Sequence, residues 1–153
     1  MADTTHFEHS HDIVISASPA EILDYVSNPQ TWCEWMPATH AIDSENRALR
    51  QGEEFFEKWH TRQGEVSLDW RVTEHIDGSS WVAQTHTDFT GPVIARYTVE
   101  EIPDGTRYTR TIINPERPKA PTDAMITRMN DEAVVCLDNI KSAVERRTAA
   151  SGA

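Results

Sequence analysis

Basic residues are few in this chain: 14 lysines and arginines face 25 aspartates and glutamates, for a formal net charge of −11. Nucleic acid and anionic membrane surfaces are recognised through basic patches, so neither is the expected main partner. Cysteine is also scarce. Cys33 and Cys136 lie far apart, which fits a reduced, cytoplasmic setting better than a disulfide framework. No apolar run approaches the ~18 residues of a membrane-spanning helix. The opening MADTTHFEHSHD lacks the apolar stretch of a signal peptide. No internal repeat or linker divides the 153 residues, so a single domain spanning 1–153 is expected, with an ordered core over about 7–147. There is no Ser-His-Asp order, glycine-rich phosphate loop, CxxC or HExxH motif. No cofactor is implied, and the expected state is a monomer or weak homodimer.

The patterning is clear. HFEHSHDIVIS alternates and ends in β-branched residues, predicting a strand over about Phe7–Ser16. Ser18-Pro19-Ala20-Glu21 reads as a capping box with proline in the first turn. Ile22, Tyr25 and Val26 give that short helix an apolar face, and Asn28-Pro29 stops it. A second helical turn is expected over Gln30–Trp35. From Ala38 to Asn114 the period becomes two, with about six strands joined by turns such as DGSS and Pro103-Asp104-Gly105. Gly91-Pro92 reads as a break, and PERPKAP as the end of the sheet. Over Thr122–Arg147, Ile126, Met129, Ala133, Leu137, Ile140 and Val144 form one apolar stripe of a long helix. The fold class is therefore α+β: a curled antiparallel sheet of about seven strands around a long C-terminal helix.

This order resembles the helix-grip fold of the SRPBCC (START-like) superfamily. The local match is HDIVISASPAEILDYVSNPQTWCEWMP, which looks like the opening of polyketide cyclase/dehydrase-like members: Ala17 to Pro19, then Asn28-Pro29, then Trp35-Met36-Pro37. DGTRYTRTI and the terminal helix match in position. The resemblance implies a cavity between sheet and long helix, with the two short helices as one wall. It implies no shared catalytic residue, because the superfamily hosts binders, cyclases, hydrolases and chaperone activators.

On that reading TWCEWMP is a rim. Trp32 and Trp35 are one helical turn apart, and rings this size rarely sit free in water. Trp35 and Met36 are expected to line the cavity. Cys33 has no basic neighbour to activate it and is read as a packed, inert thiol; Cys136 is read as core. His9 and His11 share a strand face, but no third metal ligand has a suitable spacing, so no metal site is expected and the segment is read as a solvated edge strand.

By alternation Trp70 groups with Leu68 and Val72, Trp81 with Ala83 and Thr85, and Tyr97 with Ala95 and Val99. Large rings among small residues suggest space for a ligand. If Tyr108 points inward, so does Arg110, which would then need an acidic partner or a ligand. The Trp59 face of the third strand is taken as inner, which brings Glu57 with it. His40 is a further candidate imidazole, and Met129 on the long helix completes the wall.

Three functions stay open. The first is binding of a small hydrophobic or amphipathic ligand such as a lipid, polyketide or aromatic metabolite. The second is a cyclase, dehydratase or hydrolase using the same cavity, with Arg110 and Glu57 or His40 as polar groups. The third is a protein-interaction domain of chaperone-activator type.

Overall fold

The computed structural model describes residues 4–36, 40–61, 64–88 and 90–151. Strand β1 (Thr5–Ile15) leads into helix α1 (Pro19–Val26), a 3-10 turn (Pro29–Thr31) and the single-turn helix α2 (Trp32–Trp35). Six strands follow: β2 (His40–Asp43), β3 (Glu54–Thr61), β4 (Gly64–Ile76), β5 (Ser80–Thr87), β6 (Gly91–Ile102) and β7 (Gly105–Arg117). Helix α3 (Asp123–Ser151) ends the described chain. The seven strands form one antiparallel sheet in the order β1-β7-β6-β5-β4-β3-β2, curled around α3 in a helix-grip arrangement. Among the described residues no helix is long and apolar enough to cross a membrane.

Local chemistry accounts for the boundaries. The capping box at α1 is complete: Ser18 Oγ accepts from the Glu21 amide, and the Glu21 carboxylate accepts in return. Gly105 opens β7 at φ 140°, and a Cβ there would lie 2.5 Å from the Ile15 carbonyl oxygen. Only glycine lets the strand start this close to the end of β1.

Two expectations about proline fail. The chain does break between β5 and β6, but Gly91-Pro92, read as the break, forms the first residues of β6, and Pro115, read as the start of the sheet's end, lies inside β7. The β6–β7 ladder runs only from Ile94–Ile113 to Ile102–Gly105, so each proline lies where its strand has one partner strand. A missing amide hydrogen is tolerated on such an unpaired side. Helix α3 also runs past Arg147 to Ser151, which leaves no basic residue in its last turn.

The two halves of α3 are held differently. Cys136, Leu137, Ile140, Ala143 and Val144 are buried, as is Ala133, whereas Met125, Ile126 and Met129 are half-buried. The C-terminal half is cross-linked to the rest: Ser16 N–H donates to Glu145 (2.8 Å), Lys141 to the Val14 carbonyl (3.2 Å), and Asn139 to the Trp35 carbonyl (3.2 Å). Among the described residues, the N-terminal half makes one side-chain hydrogen bond to the sheet, between His11 Nε2 and Asn130 Oδ1 (3.0 Å).

Candidate functional site

The inner face of the sheet carries two different surfaces. Beneath α1 and α2 it is a solid block of rings. Trp32 is 1 % exposed and meets Phe55, Trp70, Trp81 and Tyr97 edge-on, with centroids 5.2–6.4 Å away. Phe55 stacks on Trp70 at 5.8 Å, and Trp81 on Tyr97 at 5.2 Å. The tryptophan N–H groups of this block all donate. Trp32 reaches the Val26 carbonyl (3.1 Å), Trp81 the Leu49 carbonyl (3.1 Å), Trp35 the Thr31 hydroxyl (3.4 Å), and Trp70 the Glu57 carboxylate (2.9 Å). Tilted and edge-to-face pairs with satisfied donors are the mark of core.

Towards β1, β7 and α3 the surface changes. The inward residues of β1 are Phe7, His9, His11, Ile13 and Ile15, which pair with Asn114, Ile112, Arg110, Tyr108 and Thr106 of β7. Arg110 pairs in turn with Tyr97 of β6. The register thus places two imidazoles, two phenols and a guanidinium together. Tyr97 and Tyr108 are each 0 % exposed, and the Tyr97 hydroxyl lies close to the Arg110 guanidinium, yet among the described residues neither hydroxyl makes a well-formed hydrogen bond. The same holds for Arg110 Nε and for Nδ1 of His9 and His11. The guanidinium lies over the Trp35 ring, 5.7 Å from its centroid. No carboxylate among the described residues forms an ion pair with it.

The electrostatics follow from this crowding. Burial, followed by the nearby charge of Arg110 and by His11, lowers the His9 imidazole to about 4, so it is neutral at pH 7. Burial pushes the Tyr97 hydroxyl up to about 12 and holds Tyr108 well above the ordinary phenol range. Burial likewise raises the Cys136 thiol, which faces the same group of residues from α3. The result is a set of neutral hydrogen-bonding groups around one fixed cation.

The candidate residues from the sequence, His40 apart, have definite places. Trp35, Tyr97, Tyr108 and Arg110 come together, and Met129 is half-buried on the nearby stretch of α3. Glu57 and Trp59 point inward, as their strand's alternation required, and Glu57 is buried against Trp70. Met36 is half-buried at the rim. Trp70 and Trp81 belong to the ring block. His40 pairs in register with Trp59, but its side chain lies outside the described residues, as does Pro37. Cys33 is a correction: it is exposed, not packed, because its helical turn directs Trp32 and Trp35 inward and turns Cys33 away. His9 and His11 are another: β1 is an edge strand, but α3 covers the face on which they lie. The strict alternation Phe7-His9-His11-Ile13-Ile15 could have shown this. Among the described residues no three His, Cys, Asp or Glu side chains are placed to hold a metal ion. A surface cleft of about 600 Å³, bordered by Leu23, Arg47, Arg50 and His75, opens outside the grip, away from this cluster.

Comparison with known proteins settles the family. The model of a family described as "Polyketide cyclase / dehydrase and lipid transport" matches residues 4–145. The chain belongs to that family. No curated protein matches it in sequence. Among solved structures, the di-domain ARO/CYC StfQ from the steffimycin biosynthetic pathway superposes with a TM-score of 0.71 at 12 % identity, covering 94 % of this chain and 52 % of that one. Ara h 8.0201 gives 0.68 at 10 % identity, covering 92 % and 98 %. The Aha1 dimer from Colwellia psychrerythraea gives 0.65 at 20 % identity, covering 91 % and 96 %. At these identities the likeness shows a shared SRPBCC fold and nothing about ligand or activity.

Proposed function

We propose that this polyketide cyclase/dehydrase-like domain binds a small amphipathic molecule between α3 and the β1–β7–β6 side of its sheet. The observation that carries this reading is the trio Tyr97 Oη, Tyr108 Oη and Arg110 Nε, all buried and, among the described residues, all without a well-formed hydrogen bond. A buried polar group left unsatisfied costs about 1–3 kcal/mol, and three in one place are a poor solution for a core but a good one for a site filled from outside. Apolar contact would come from Trp35, Met36, Trp59 and Met129, with Trp70 and Trp81 backing the wall from the ring block. The weakly tied N-terminal half of α3 is the natural way in. The family's description supports a hydrophobic ligand.

One observation favours a catalytic version of the same site. His9 is a neutral imidazole with a buried, unpartnered Nδ1 beside a fixed cation. A neutral imidazole facing a group that stabilises developing negative charge has the layout of a general base and its anion-stabilising partner, with the lowered pKa making His9 a weak base at pH 7.

Native mass spectrometry of protein purified from its own cells tests the binding reading. A bound hydrophobic molecule near one per chain, released by organic extraction, is expected. Bare protein that also takes up no apolar probe overturns the reading.

A further inference from the structure

The proposed site has a feature that narrows its ligand. Its charged inventory is small. Among the described inner-face groups of β1, β6 and β7, Arg110 is the arginine within the cluster, and Arg117, farther along β7, already donates to the Lys119 carbonyl and to Asn114 Oδ1. His9 beside it is neutral, and Glu57 already accepts from Trp70. The guanidinium lies over the Trp35 ring, 5.7 Å from its centroid, a cation–π contact that takes up none of the N–H groups on its hydrogen-bonding edge. That edge includes Nε, which is buried and has no acceptor among the described residues. Nε–H and a neighbouring terminal N–H form the fork that the two oxygens of a carboxylate accept side by side. The Tyr97 and Tyr108 hydroxyls are 0 % exposed and also without acceptors, so they can donate to the same oxygens.

We infer that the ligand is an amphipathic carboxylic acid, bound as its monoanion with the carboxylate on the edge of Arg110 and the apolar body against Trp35 and Met129. One guanidinium balances one negative charge. A phosphomonoester would bring a second charge, and the other buried arginine of β7, Arg117, is already engaged by the Lys119 carbonyl and Asn114; an alcohol would leave the Arg110 guanidinium unpaired in a poorly hydrated place. This inference rests on the binding reading above and adds the head group to it.

The test uses the full chain and matched probes: dodecanoate, dodecanol and dodecyl phosphate, with 2-naphthoate and 2-naphthylmethanol as a flat pair, followed by tryptophan emission and calorimetry. In at least one pair the acid should bind about 10–100-fold more tightly than the alcohol, the range expected for charge-assisted hydrogen bonds worth about 1.5–3 kcal/mol. It should also bind more tightly than the phosphate. Arg110→Gln should erase that preference while the alcohol's affinity changes little, and Tyr97→Phe should reduce it severalfold. Equal binding of acid and alcohol by the wild-type chain overturns the head group and leaves the binding reading standing. Tighter phosphate binding overturns the monoanion. Saturable binding of none of the probes removes both readings together.

Discussion

The ring block around Trp32 and the cluster around Arg110 lie on the same sheet face and share Tyr97, yet they follow opposite rules. In the block every indole donor has an acceptor and each ring meets several others. In the cluster several polar atoms are just as buried but, among the described residues, lack a well-formed hydrogen bond. Tyr97 shows the contrast within one residue: its ring packs on Trp81 in the block, while its hydroxyl is stranded in the cluster. Aromatic content alone therefore does not mark a site in this fold. The rings nearest α1 and α2 supply stability, and the polar groups under the less tightly held half of α3 are placed for a ligand. Helix α3 reflects the same division, with its cross-links gathered towards its C-terminal half.

The strongest way to break this comparison is to remove the centre of the block. Trp32→Ala deletes a fully buried ring touching five others, and should lower unfolding free energy by about 3–5 kcal/mol, read as a shift of the urea midpoint by circular dichroism. A loss below about 1 kcal/mol would mean that the block is loose and able to open, and that ligand space could extend into it. Arg110→Met should behave in the opposite way. It replaces an unpaired, partly buried charge by an apolar chain of similar length, so stability should stay within about 1 kcal/mol or rise. If this variant loses stability on the scale of Trp32→Ala, Arg110 is structural and the cluster is a second part of the core.

The fold was readable because its signals are local and agree with one another. The capping box at Ser18, the alternation of Val66, Leu68, Trp70 and Val72, and the stripe along α3 each settle one element. The inward side of β3 followed from preferring Trp59, and Glu57 came with it. What could not be read was which inward aromatics meet other rings and which end at a polar group. That depends on register between strands far apart in sequence, such as Arg110 opposite both His11 and Tyr97. The position of His9 and His11 was obscured by composition. A run of histidines, serines and acids looks solvated, and only the placement of α3 over β1 makes half of it interior. The prolines at 92 and 115 misled for a related reason, since a strand's freedom to hold proline depends on where its neighbours stop.

The finest test concerns His9, because it asks whether the cluster is dry as well as unpartnered. Its folded pKa of about 4 lies below the ordinary value of 6.5. Above pH 6.5 the imidazole is neutral in both the folded and unfolded chains and adds nothing to the pH dependence. Between pH 6.5 and about 4 the unfolded chain takes up the proton and the folded chain does not, so stability falls as pH falls through that window. Below about pH 4 both forms are protonated, and the loss stops growing. His9→Gln removes this contribution and leaves Arg110 and His11 in place. The difference between wild-type and variant stability should therefore be flat above pH 6.5 and slope between 6.5 and 4, whatever the carboxylates elsewhere contribute to both curves. Parallel curves across that window would mean that His9 is solvated and titrates normally. The polar cluster would then be open to water before any ligand arrives, and the contrast with the ring block would be one of hydration rather than of unmet hydrogen bonds.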